Sequence, residues 1–264
     1  MDIGMRDRFT RLWNQYFEGA ELPIAFWIGP AGEGVPRLPA PKRWRCMVCD
    51  LARVRKGHPV VIDHESLSCG GARRYLGYAT ESPPFFRYFL SCGKPGVVEG
   101  ERYKRTPEIV DEFDQNLVHI PSEGRCYTFK RWDQLTGEDI PDVVIFFARP
   151  EVISGLFTLA GFDQGDPEGG VICPFGSGCS SIVYYPWLEQ QKEHQRAVLG
   201  MFDPSARPCV MPEVLSMAIP MRKFARMIDY IEESFLVTPT WERVREKIRR
   251  SAARNEPSGG DGAG

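Results

Sequence analysis

Phe9, Leu12, Trp13, Tyr16 and Phe17 recur at i, i+3, i+4, i+7 and i+8, so five large apolar groups share one face of a first helix that Gly19 can end. Pro23 to Ile28 reads as a strand, and a loop rich in Gly and Pro runs from Gly29 to Pro41. Residues 42–56 lack Gly and Pro and carry Trp44, Val48, Leu51 and Val54 at mixed helical spacings, which predicts a second helix stopped by Gly57. A short strand over 59–62 follows, then a glycine-punctuated stretch from Ser66 to Gly77 that turns into or out of a short helix.

Phe85 to Leu90 predicts an aromatic strand packed on the core, Thr106 with Pro107 opens a helix to Asn116, and Arg125 to Trp132 alternates as another strand. The run from Asp142 to Ala148 is nearly continuously apolar, as a central strand covered on both faces should be. Pro150 follows where a helix begins, and Val152, Ile153, Leu156, Phe157 and Ala160 give that helix an apolar face up to Gly161. Pro220 opens a helix with Phe224, Ile228, Ile231 and Phe235 inward, and Thr238 with Pro239 opens a last one carrying Trp241, Val244 and Ile248. Strands and helices are interspersed without strict alternation or internal repeat. The expected fold is therefore mixed α/β (α+β): a single domain over 1–254 with a central sheet containing strand 142–148, flanking helices, and a disordered tail over 255–264.

The chain's 264 residues suffice to bury a core without staples. Its 33 Lys and Arg against 35 Asp and Glu, a net charge of -2, give no global attraction to nucleic acid or to an anionic membrane. Apolar runs such as Val143 to Ala148 fall short of the roughly 20 residues that span a bilayer, and no apolar leader follows Met1. These features predict a soluble, cytoplasmic protein whose partner is a redox partner or a small molecule, not nucleic acid or membrane. In that setting the eight cysteines are expected as reduced thiols rather than a disulfide framework.

Five of those cysteines stand in contexts that suit chemistry. Cys46 and Cys49 form a C-x-x-C whose helical spacing puts both sulfurs on one face, among Arg43, Arg45, Arg53, Arg55 and Lys56, cations that favour the thiolate. No second C-x-x-C exists, which excludes a self-contained zinc ribbon. Cys69 is followed by Gly70 and Gly71, which let backbone approach a ligand, either a metal cluster or an anion. Cys179 follows a turn bracketed by Gly176 and Gly178, where a helix N-terminus would expose its sulfur and lower its pKa. The same turn could cradle a phosphate, but Ser181 replaces the third glycine of a dinucleotide fingerprint and no Walker sequence is present. Cys209 ends a loop after Asp203-Pro204. Cys92, Cys126 and Cys173 read as core or loop thiols, and His58, His64, His119 and His194 form no zinc pattern.

Several segments together resemble the uncharacterised family called domain of unknown function 169, the ArCR proteins. They are Cys-Asp-Leu-Ala-Arg-Val-Arg-Lys-Gly at 49–57, Ser-Cys-Gly-Gly with Tyr-Leu-Gly at 68–77, Asp-Val-Val-Ile-Phe-Phe-Ala at 142–148, Gly-Ser-Gly-Cys at 176–179 and Ala-Ile-Pro at 218–220. The resemblance implies that Cys49, Cys69 and Cys179 fall at the family's cysteine-bearing motifs, with Cys209 a looser fourth that Cys46 could replace. It supplies no reaction. The leading expectation is a metal site, an iron–sulfur cluster ahead of zinc, ligated by cysteines from separate segments. The rivals are a small-anion site at Gly70, Gly71, Gly176 and Gly178 with merely buried cysteines, and a cysteine-nucleophile enzyme.

Overall fold

The apolar run expected at the centre of a sheet does lie there. The computed structural model describes residues 1–121 and 124–255, and within them the strands β1 (Ile24–Gly29), β2 (Val60–Ile62), β3 (Cys126–Arg131), β4 (Val143–Ala148), β5 (Val171–Ile172), β6 (Ala197–Gly200) and β7 (Leu215–Pro220) form one sheet. Their spatial order is β2-β3-β1-β4-β7-β6-β5, which puts β4 in the middle. All pairings are antiparallel except β5 with β6. The expected tail lies outside the described residues except for Asn255, which ends the last helix.

Both faces of the sheet are covered, and side-chain alternation along each strand divides the core in two. Val144, Phe146 and Ala148 of β4 face the helices α1 (Ile3–Tyr16), α6 (Pro150–Ala160), α8 (Met221–Tyr230) and α9 (Pro239–Asn255). Phe146 there meets the rings of Trp13, Phe224 and Phe9 at 5.0, 5.6 and 6.2 Å; burying one such ring stabilises the fold by roughly 2–3 kcal/mol. Val143, Ile145 and Phe147 face the opposite layer, built from α2 (Met47–Arg55), α3 (Gly70–Tyr75), a π-helical turn over Ser180–Tyr184 and α7 (Tyr185–Gln190). This α+β arrangement matches the class read from the sequence.

Two local expectations change. The aromatic segment 85–90 is not a strand but the short helix α4 (Phe86–Phe89), packed beside α5 (Pro107–Gln115). Pro83 and Pro84 start a turn in which the Phe86 amide bonds the Pro83 carbonyl at 2.8 Å, Arg87 pairs with Glu108 and Asp111 of α5, and Gly93 at positive φ turns the chain away. The second helix begins at Met47 rather than near Lys42, because the Arg45 amide is committed to the Ser68 hydroxyl at 2.8 Å and Cys46 is extended as the cap.

On the α2 side the sheet carries small residues beneath the π turn. A Cβ added to Gly200 would lie 2.3 Å from Ser181 Oγ and 2.9 Å from Ser216 Oγ, so only glycine lets the turn approach β6 this closely. That approach fixes where Cys179, the residue just before the turn, enters the layer.

Candidate metal centre

Three cysteines stand at the starts of helical segments. Cys46 caps α2, Cys69 caps α3 and Cys179 precedes the π turn that runs into α7. Cys49 sits in the first turn of α2, and Cys209 ends a 3₁₀ segment, Pro204–Cys209. A π turn is an uncommon local geometry that is frequent at functional sites.

The segments carrying these residues are tied to one another. Arg45 beside Cys46 bonds Ser68 beside Cys69. The Gly178 amide donates to Asp203 Oδ2 at 2.9 Å, and Asp203 Oδ1 accepts from both the amide and the hydroxyl of Ser205, capping the segment that ends at Cys209. A Cβ at Gly178 would lie 2.6 Å from Ala206 Cβ and 3.2 Å from Val48 Cγ2, so the turn before Cys179 packs directly between α2 and the Cys209 segment. Arg207 donates to the carbonyls of Met201, Met211, Pro212 and Val214, pinning the chain on both sides of Cys209. Met201, buried and at φ 67°, holds a left-handed conformation that side-chain-bearing residues seldom adopt, at the rim of this cluster.

The sulfurs of Cys46, Cys49 and Cys209 all lie within 4.8 Å of one another, and Cys49 and Cys209 are joined as a disulfide. The expectation of eight reduced thiols therefore fails for this pair. Spacing along the chain could not reveal it, because the partners are 160 residues apart and meet only when α2 and the 3₁₀ segment pack. Cys46, Cys69 and Cys179 remain thiols, as do Cys92, Cys126 and Cys173.

The free thiols of the cluster feel one another. Burial pushes the Cys46 thiol up; the amides of Val48 and Cys49 pull it the other way, and Cys69 and Asp203 add to the rise. Burial drives Cys179 much further upward, reinforced by Cys69, Cys46 and Asp203 and opposed by the Ser177 hydroxyl 3.0 Å from its sulfur. These shifts overturn two expectations. Cys179 is buried rather than exposed, with its pKa raised rather than lowered. No arginine of the described residues is among the groups that act on Cys46, and two of its expected cationic neighbours are committed elsewhere, Arg45 to Asp50 and Arg55 to Glu21. The Cys46, Cys49 and Cys209 sulfurs are close enough together to hold one metal ion when the Cys49–Cys209 bond is open.

Two of the four glycines of the expected anion site, Gly176 and Gly178, allow approaches that a side chain would block. Gly176 leaves space that Ser180 Oγ occupies, Gly70 abuts Pro83, the Gly71 position lies 3.8 Å from Cys69 Sγ, and the Gly178 amide is spent on Asp203. Cys92 and Cys173 are exposed and Cys126 starts β3; of the five candidate cysteines the structure brings Cys46, Cys49 and Cys209 into one close group, with Cys69 acting electrostatically on Cys46 and both of these on Cys179. Of the residues that build the site, sequence reasoning missed Ser68, Met201, Asp203 and Arg207. Asp203 carried a legible signal, an Asx before proline and serine at the start of a turn; Arg207 carried none.

A mixed sheet with a thiol-rich convergence on one covered face defines the class. The chain belongs to the domain of unknown function 169 family, the uncharacterised ArCR proteins, whose family model matches residues 21–230 and thus takes in all five cysteines. No curated protein and no solved structure matches the chain. No helix among the described residues is long and apolar enough to cross a membrane.

Proposed function

We propose that the convergence of cysteines binds a metal through thiolates, and that the metal is an iron–sulfur cluster with a redox or sensing role. Cys46, Cys69 and Cys179 supply three ligands, and reduction of the Cys49–Cys209 bond frees two further thiols, one of which is the fourth. The observation that carries the reading is that the sulfurs of Cys46, Cys49 and Cys209 lie within 4.8 Å of one another, while the helix-start residues Cys69 and Cys179 pack in the same core layer. Iron–sulfur clusters commonly take four cysteines and are tuned by amides near sulfur and by burial. Cys46 has such amides, and Val48, Met201 and Ala206 supply an apolar wall. The disulfide removes two donors while it is closed, so loading requires reducing conditions.

Anaerobic expression with iron and sulfur supplied, followed by iron and acid-labile sulfide analysis, tests this. The expected product is brown, with stoichiometric iron and sulfide that Cys69→Ser or Cys179→Ser abolishes while Cys92→Ser leaves them intact. Zinc in place of iron keeps the thiolate site and overturns the cluster. A protein that is colourless and free of both metals after full reduction overturns the reading.

A further inference from the structure

Cys46 has a relation to the Cys49–Cys209 disulfide that metal binding does not use. Its sulfur lies within 4.8 Å of both bonded sulfurs, it remains a thiol, and it precedes Cys49 by one helical turn at the start of α2. A thiolate so placed can attack a disulfide sulfur, and the C-x-x-C spacing at a helix start closes a short ring without moving backbone from another segment. We infer that Cys46 is an internal exchange thiol that moves the bond from Cys49–Cys209 to Cys46–Cys49.

In the step, the Cys46 thiolate forms a bond to Cys49 Sγ as the Cys49–Cys209 bond breaks, and Cys209 leaves as a thiolate that takes up the proton Cys46 gave to solvent. One disulfide replaces another, so the exchange needs no external oxidant or reductant. The two isomers differ mechanically. The Cys49–Cys209 bond ties α2 to the segment Pro204–Cys209 across 160 residues, whereas a Cys46–Cys49 bond ties one turn of α2 to itself. Exchange is therefore a latch: it frees Cys209 without reducing the protein. Cys49 is exposed, so an external thiol can then reduce the short-range bond. On the metal reading, which this consequence rests on, that final reduction restores the full ligand set.

The test uses the full chain, oxidised and metal-free in chelator, incubated at mildly alkaline pH with a trace of glutathione, then acid-quenched, alkylated and mapped by mass spectrometry. The wild type is expected to contain both bonds, with Cys46–Cys49 at roughly a tenth or more of the total, a difference within reach of the exchange equilibrium. Cys46→Ser should hold Cys49–Cys209 alone, and Cys209→Ser should form only Cys46–Cys49, which shows that the short ring closes in a folded chain. Finding only Cys49–Cys209 in the wild type, or Cys46–Cys209 instead of the short-range bond, overturns the inference. Loading of the fully reduced protein with iron and sulfide, or with zinc, separates the readings: exchange without uptake of either metal leaves the latch and removes the metal site, and uptake without exchange does the reverse.

Discussion

Asp203 accepts the Gly178 amide at 2.9 Å, and this bond joins the turn that delivers Cys179 to the turn that delivers Cys209. The same carboxylate caps the Cys209 segment through Ser205. Hydrogen bonds to a charged acceptor contribute about 1.5–3 kcal/mol, so Asp203→Ala should lower unfolding free energy by about that much in urea melts. In metal-loaded protein it should also speed metal loss to a chelator. Unchanged loss with lowered stability would assign Asp203 to the fold alone.

Arg207 is the second holder of Cys209. Arg207→Met keeps the stem and removes the bonds to the carbonyls of Met201 and Val214 at 3.1 and 2.6 Å, together with those beyond Cys209. In reduced, metal-free protein, Cys209 should then react with iodoacetamide severalfold faster, followed by peptide mass spectrometry, while Cys69 reacts at its former rate.

Gly178 tests how much added volume the packing around the site tolerates. Its φ imposes no strain, so Gly178→Ala acts through space alone: the new methyl meets Ala206 at 2.6 Å and Val48 at 3.2 Å. Overpacking of this kind costs about 1–3 kcal/mol. Gly165→Ala, which meets nothing within 4 Å, is the control and should leave the thermal midpoint unchanged.

Glu189 sets an acid limit on the layer that holds the site. Burial raises its carboxyl, but hydrogen bonds from Arg196 and Lys192 outweigh that and leave it below the usual carboxylate value. A depressed folded pKa contributes stability that is present above the unfolded value of about 4.3 and lost as pH falls through the folded one. Urea melts from pH 7 to pH 3 should show this loss in the wild type. In Glu189→Gln the loss should be smaller, with stability at pH 7 lower by about 2 kcal/mol because charged donors lose their acceptor.

The sequence was most readable where one residue type satisfies one strong requirement. β4 is buried on both faces, so nearly every position had to be apolar, and its place in the middle of the sheet follows from that run. α6 and α9 each carry a proline at the start of an apolar periodicity. β5 and β6 were missed: one has two residues and the other four, too few for alternation to register. β7 was hidden by Ser216 and Ala218, whose small side chains accommodate the π turn and so weaken its hydrophobic signal. At the site, five cysteines were legible as candidates because of neighbouring glycines and the C-x-x-C. Their pairing was not, since Cys49 and Cys209 are 160 residues apart and meet only when α2 packs on the Pro204–Cys209 segment.

The 160-residue span between Cys49 and Cys209 also places the site in time. At about 5–20 residues per second, a ribosome needs roughly 8 to 30 s between making one partner and making the other. Cys46, Cys49 and Cys69 therefore emerge as unpartnered thiols on a growing chain, exposed to whatever oxidant or metal is present. The Cys49–Cys209 bond can therefore form only after the segment Pro204–Cys209 has been made, so the yield of correctly paired protein should depend on translation rate as well as on the finished fold.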